Sequence, residues 1–326
     1  MGGKSENQSA AAASASNLSA TLERLGKYFE DESPVEEKKS LRSPPANDSQ
    51  LDFFVPSLHD IPVKDGIGIM DVAVFRLSKS QPRSGEVLRY QLSDAIIEVS
   101  SGGYGMASIY DYDIVIMVIS QLANAVKKYR LGQGEKPGKQ YRIHASDIFK
   151  FCRMRNGGNQ YRTLDAALKR LQGTAITISS DNKKKSTRRT GYFPLLGGAK
   201  VVSRTDTGRI GRVEITIPDW IYEAVNQYDD PEVLTVNPDY FLINKGLGRF
   251  VYRLARKAAG THEAVYAFRT VHMRSGTTRE FKKFAHQLRQ LIKTNDLPDY
   301  DISERPGQDG PLLVIRNRKQ LECPSA

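Results

Sequence analysis

Twice in this chain a turn announces an amphipathic helical pattern, and two short β-rich runs follow it at once. No other feature restricts the fold as much. In the first round a helix starts near Asp111 and carries Ile114, Val115, Val118, Ile119, Leu122 and Val126 on one face. A loop over Gly132–Gly138, a small strand at Tyr141–Ile143 and a short helix capped by Ser146 and running to Phe151 come next. Asn156-Gly157-Gly158-Asn159 then makes a tight turn, because these residue types accept positive φ at little cost. The helix Gln160–Leu171 follows, burying Tyr161, Leu164, Leu168 and Leu171, with β runs at Ala175–Ser179 and Tyr192–Leu196. Two earlier runs, Leu88–Leu92 and Ile96–Val99, also read as strands.

The second round repeats the order. Leu247, Phe250, Val251 and Leu254 mark a helix ending at Gly260, and Val265–His272 reads as another. After the Ser275-Gly276 turn, Thr277 and Glu280 have the spacing of a capping box. The helix beyond it buries Phe281, Phe284, Leu288 and Leu291, and Tyr300–Ile302 pairs with Leu312–Ile315 around Asp309-Gly310. Helix, helix, turn, long helix, hairpin is the order of a winged helix. The expected fold class is therefore α+β, with two tandem winged-helix lobes over residues 70–230 and 231–320. Residues 1–52 are rich in Ser, Ala and Asn, and their acids outnumber their bases, so a mostly disordered arm is expected there. Leu18, Leu22, Leu25 and Phe29 give it the spacing of one short helix, 18–29.

With the arm acidic, the net charge of +11 and pI near 9.5 belong to the folded part. A basic surface of this kind meets a polyanion, most commonly nucleic acid. On the last long helix Arg279, Lys282, Lys283, His286, Gln290 and Lys293 recur at steps of three and four, with Arg289 at the edge. A solvated face would mix signs, since like charges at i,i+4 repel; this stripe has no acid beyond Glu280, so it is expected to meet DNA. Arginine can take guanine edges bidentately, so the helix can also read sequence. On the first-round helix Asn159, Gln160, Arg162, Thr163 and Arg170 line the outer side, with Lys169 and an interrupting Asp165. Between the hairpin strands lie Lys183, Lys184, Lys185, Arg188 and Arg189, where a wing tip would pass the DNA backbone. Arg249, Arg253, Arg256 and Lys257 are expected to add phosphate contacts, and Arg316, Arg318 and Lys319 to decorate the second wing.

Catalysis, metals and cofactors have no signature. Gly134–Gln140 is the nearest stretch to a phosphate-binding loop, with the wrong spacing and no Ser or Thr after its lysine. The five histidines never take the paired spacing that a metal-assisted DNA nickase uses, and 15 tyrosines prove nothing about a nucleophile. The expectation is a protein that is not an enzyme and needs no cofactor and no metal. The two cysteines, Cys152 and Cys323, form no CxxC, which fits a reduced cytosol, and Cys152 reads as a buried structural thiol. The apolar run Ile114–Ile119 is far shorter than the roughly 20 residues of a spanning helix. The opening residues lack a signal-peptide pattern, so the expected place is the cytoplasm, with no membrane partner.

Leu51-Asp52-Phe53-Phe54-Val55-Pro56, the segment from Leu88-Arg89-Tyr90, Tyr161-Arg162-Thr163-Leu164 through Thr174, and Phe281-Lys282-Lys283-Phe284 through Leu291 carry a resemblance. From about Gln50 to Arg318 the chain resembles the plasmid replication initiator protein A family, the tandem winged-helix initiators of iteron-type plasmids. The resemblance implies binding to direct repeats of double-stranded DNA at a plasmid origin, opening of an adjacent A·T-rich segment, recruitment of a host helicase or its loader, and self-association to a dimer, the form that represses the protein's own gene. A plain winged-helix autorepressor, or a strand-cleaving enzyme with a Tyr nucleophile, are the rivals. Gln50-Leu51-Asp52-Phe53-Phe54 is also similar to the bacterial sliding-clamp-binding pentapeptide: Leu51, Phe53 and Phe54 would fill an apolar pocket while Gln50 bonds at its edge. The competing reading is that both phenylalanines anchor the arm to the body.

Overall fold

The computed structural model describes residues 41–42, 53–56, 72–80, 83–92, 95–154, 158–182, 187–206, 208–226 and 233–321. All of them lie in one compact unit, Ser40–Ala326. The expected helix 18–29, Gln50, Leu51, Asp52 and Lys183–Lys185 fall outside the described residues.

Along the chain the elements are β1 (Phe53–Pro56), β2 (Val87–Gln91), β3 (Ala95–Ser101), α1 (Tyr112–Arg130), β4 (Gln140–His144), α2 (Ala145–Phe151), α3 (Gly158–Gly173), β5 (Thr174–Asn182), β6 (Thr187–Pro194), β7 (Gly198–Arg204), β8 (Ile210–Thr216), α4 (Asp219–Asn226), β9 (Val233–Val236), a 3₁₀ turn (Pro238–Leu242), α5 (Gly246–Ala258), β10 (Glu263–Ala267), α6 (Phe268–Arg274), α7 (Phe281–Thr294), β11 (Tyr300–Arg305), β12 (Leu312–Asn317) and α8 (Arg318–Leu321). The sheets are all antiparallel: β2-β3-β5-β6, β4-β8-β7, β10-β12-β11 and the pair β1-β9. The order helix, strand, helix, helix, hairpin occurs over α1–β6 and again over α5–β12.

The second occurrence corrects one expectation. Val265–His272 is not a single helix: its first part is β10, with Val265 opposite Val314, and only Phe268 onward is helical. Pairing with β12 overrides the local helical spacing, and Val265 remains 39% exposed, so it was not a core letter. Two expected caps also differ. Helix α7 is capped at Glu280 with no side-chain bond, and the Thr277 hydroxyl accepts from the Arg279 N–H at 3.3 Å, so there is no capping box. The helix starts a turn too late for the box to close. Ser146 lies inside α2, whose cap position is His144. Asp111 stands at the start of α1 but does not cap it; its Oδ2 accepts from the Ser108 N–H at 2.7 Å.

Helix α1 is not a one-faced helix either. Tyr112 through Ser120 are buried without a break, because the helix packs against β1 and α4 and lies inside the protein. Beyond Ser120 the helix emerges, first at Asn124 and then through Lys127, Lys128 and Arg130 of its last turn, where cations also suit the carbonyl end. A single apolar cluster runs from α1 through Leu164, Leu168 and Leu171 of α3 to Phe250 and Leu254 of α5 and Phe284, Leu288 and Leu291 of α7. Cys152 is fully buried, and that burial pushes its thiol well above the ordinary range.

A carboxylate inside an all-buried helix needs a partner. Asp113 finds it in Arg249 of α5, 136 residues away: Nη1 donates to both carboxylate oxygens at 2.7 and 2.6 Å. Arg249 Nη2 donates to the Phe241 carbonyl and Nε to the Ile243 carbonyl, both at 2.9 Å, and the guanidinium lies over the rings of Tyr110 and Tyr240. Arg249 is 1% exposed, and Arg253, over Phe75 and Tyr112, is 5% exposed. The expectation that these two arginines add to a phosphate-binding field is therefore wrong. They tie the second helical round to the first. Arg256 likewise turns inward, to the Thr235 carbonyl at 2.5 Å.

Candidate nucleic-acid interface

Helix α7 presents its inner face through Phe284, Leu288 and Leu291, all buried, with Phe281 at the margin. The opposite side therefore faces out. Arg279, Lys282, Lys283, His286, Arg289, Gln290 and Lys293 are all exposed, so the structure brings the whole expected stripe together on one surface. Some of its members are already oriented. Arg289 forks onto Glu304 of β11, with Nε to Oε2 at 2.9 Å and Nη2 to Oε1 at 2.8 Å, and lies over the Phe268 ring. Gln290 and His286 share a 3.1 Å hydrogen bond, and Lys283 stands 3.5 Å from Glu280. A guanidinium held at a fixed angle loses less freedom on meeting a phosphate or a base edge than a swinging one.

Helix α3 exposes less charge. Asn159, Arg162 and Thr163 are exposed and Gln160 half-buried, with the Thr163 hydroxyl donating to the Asn159 carbonyl at 3.0 Å. Arg170 points inward: Nε and Nη2 each donate to Asp111 at 2.8 Å, and the side chain is 16% exposed. Asp111 raises the Arg170 pKa by that hydrogen-bonded contact against the opposing pull of burial. Lys169 pairs with Asp165 at 2.8 Å and sits over the Tyr104 ring. Strands β5 and β6 extend further than their apolar runs, so Arg188 and Arg189 belong to β6, opposite Asp181 and Ser180.

The second hairpin's expected cations also have tasks within the fold. Arg316 donates to Glu263 across β10 and β12 at 2.5 Å, and Arg318 to the Asn295 carbonyl at 2.6 Å. Other residues join the surface unannounced. The β7–β8 hairpin places exposed Arg204 4.0 Å from Asp165 and exposed Arg209 over the Tyr161 ring, both beside α3. The only sequence sign of them is a pair of arginines flanking a Thr-Asp-Thr-Gly turn. Phe53 and Phe54 pair by backbone with Val236 and Thr235, so the end of the pentapeptide lies in strand β1.

Among the described residues, no three His, Cys, Asp or Glu side chains gather in a way that could hold a metal, and no helix is long and apolar enough to cross a membrane.

Three comparisons bear on this arrangement. The profile of the family described as RPA, Replication initiator protein A, matches residues 64–302. A protein of Wigglesworthia glossinidia brevipalpis, described by name only as a replication protein, is 30% identical over 276 residues, covering 82% of this chain and 94% of that protein. Among solved structures, domains 2 and 3 of RctB superpose with a TM-score of 0.56 at 12% identity, covering 77% of this chain and 99% of that one. A second RctB structure of domains 2–3, spanning 155–483, gives 0.51 at 13% identity, with 76% and 96% covered. At these identities the likeness is one of fold.

Proposed function

The chain belongs to the replication initiator protein A family, and from that premise we propose that it starts plasmid replication by gripping repeated origin DNA with two winged-helix lobes. One lobe is built on α1–β6 and the other on α5–β12. Helix α7 enters a major groove through Lys282, Lys283, His286, Arg289, Gln290 and Lys293, with Arg279 just ahead of its start, and supplies most of the affinity. Helix α3 offers Asn159, Gln160, Arg162 and Thr163 to a second groove, and the β5–β6 wing with Arg188 and Arg189 passes along the backbone. Arg170, bound to Asp111, sets the angle of α3. The observation that carries the proposal is the unbroken line of exposed cationic and polar side chains on α7, opposite a buried Phe284-Leu288-Leu291 face.

Binding opens an adjacent A·T-rich segment and recruits a host helicase or its loader. The sliding clamp would dock on Gln50–Phe54, which requires Phe53 and Phe54 to leave their pairing with β9. The same fold acting only as an autorepressor is the second reading, favoured by nothing in the fold but equally able to use α7. Footprinting on the DNA flanking the gene, followed by permanganate probing of unpaired thymines, separates the two. Periodic protection of direct repeats with melting beside them is the expected result. Protection of one inverted repeat without melting would leave the repressor, and no specific protection would remove both.

A further inference from the structure

Beside α7 lies a cavity of about 300 Å³ whose lining shares Arg279 and Gln290 with the face proposed to meet DNA. Its walls come from the segment before β2, through Arg76, Lys79 and Arg83, and from the second helical round, through the start of α5 from Lys245 to Gly248 and Arg279. Among the described residues lining it there is no Asp or Glu. It adjoins a larger crevice of about 980 Å³, sharing Arg76, Lys79 and Tyr110 with it, and Arg42 and Arg249 line that crevice.

Two independent features of the small cavity ask for an anion. The first is the N-terminus of α5, thirteen residues long, with no acid in its first turn and no side-chain cap on Lys245. Just ahead of it the Tyr110 hydroxyl donates to the Asn244 carbonyl at 2.5 Å, and Lys245 at its start makes no side-chain capping bond. Such an end carries partial positive charge. Glycine at 246 lets the segment before β2 approach this closely, since an added Cβ would collide with the Leu77 carbonyl. The second feature is Arg83. Its side chain is 7% exposed, its Nε stands 3.7 Å from Glu86, and its Nη1 is buried with no hydrogen-bond partner among the described residues. A buried guanidinium N–H without an acceptor is rare in a folded protein and marks a missing partner.

We infer that this cavity is a phosphate-class anion site, in which a phosphoryl group accepts from Arg83, Lys245 and the first-turn N–H groups of α5. Burial lowers the pKa of Lys79 and of Arg76; Arg249 and Arg42 add to the fall at Lys79, while Asp111 opposes it at Arg76. Because the walls belong to the segment before β2 and to the second round, an occupant draws that segment and α5 together.

The probe is inorganic phosphate, titrated into the full chain against chloride at constant ionic strength, with thermal unfolding as the readout. A saturable rise in Tm is expected for the wild type. Arg83→Gln and Lys245→Gln should each weaken the apparent phosphate affinity roughly tenfold. Lys245 is exposed, so its variant decides the matter if Arg83→Gln folds poorly. Equal phosphate shifts in the wild type and Lys245→Gln would overturn the inference, as would no shift in the wild type. Two further arms give the source of the phosphate. If phosphate competes with duplex DNA and Lys245→Gln lowers the salt slope of DNA binding by about one, the occupant is a DNA backbone phosphate. If the slope is unchanged while phosphate binding is lost, it is a free phosphate or phosphorylated small molecule. A protein that binds phosphate here but no DNA would sink the proposed function and leave this site standing.

Discussion

Helices α3 and α7 hold equivalent places in their two rounds, each buried on a Leu-rich face and each followed by a hairpin, yet their outer faces do different work. On α7 the acids stand at the margins, Glu280 at its start and Glu304 on β11, and the stripe between them stays cationic. On α3 two of the three cations are held by acids, Lys169 by Asp165 and Arg170 by Asp111, with Arg204 of β7 also near Asp165, and Arg162 is left exposed. The same backbone plan thus yields an attracting helix and a positioned one. Charge attracts from a distance regardless of sequence, whereas neutral groups such as Asn159, Gln160 and Thr163 act only in contact.

The rounds can be tested for independence first, because the difference between the helices has meaning only if they act as one body. Arg249→Ala leaves Asp113 buried without its partner and should cost about 3–5 kcal/mol. Urea unfolding should still show one transition, since the core is continuous; two separated transitions would mean that the rounds stand alone. Next, Arg170→Ala should cost about 3 kcal/mol through the stranded Asp111, while DNA affinity per folded molecule changes little. A large loss of affinity without loss of stability would put Arg170 on the DNA and erase the contrast with α7. On α7 the reverse is expected. Lys282→Glu with Lys283→Glu should leave the unfolding curve in place, lower the salt slope by about two, and weaken binding at 0.1 M salt roughly 50-fold. The matching change on α3, Arg162→Glu, should remove about one contact from the slope and weaken binding by about tenfold. Equal effects on the two helices would end the distinction. The smallest effect is expected from Glu304→Gln, which releases Arg289: under about 1 kcal/mol in stability, for a half-exposed pair, with a detectable gain in DNA affinity by fluorescence anisotropy.

The α7 stripe was legible because it depends on two local quantities, a helical period and an absence of acids, and both survive folding unchanged. The apolar faces of α3 and α7 were legible for the same reason. Strand β10 was not, since Val265 takes its conformation from Val314, which is 49 positions further on (314 − 265). Arg249 and Arg253 were misread for a related reason. Their spacing along α5 is compatible with solvent, phosphate or a buried carboxylate, and nothing near them in the chain names Asp113. Arg204 and Arg209 escaped notice because a hairpin's neighbour is set by how it packs, here against Asp165 and Tyr161 of α3.

By itself the sequence determined the order of elements, the inner faces of the long helices and the sign of the surface charge, since each is fixed by residues within a few turns of one another. The tertiary structure decided which charges remain outside. An arginine is a surface cation until folding brings a carboxylate within about 3 Å of it, and the energy of that meeting depends on burial and distance, neither of which is a property of the chain read in one dimension. Arg249 and Lys282 are both basic residues on the face of an amphipathic helix. Only the fold places one against Asp113 in the interior and the other in water on the face proposed to meet DNA.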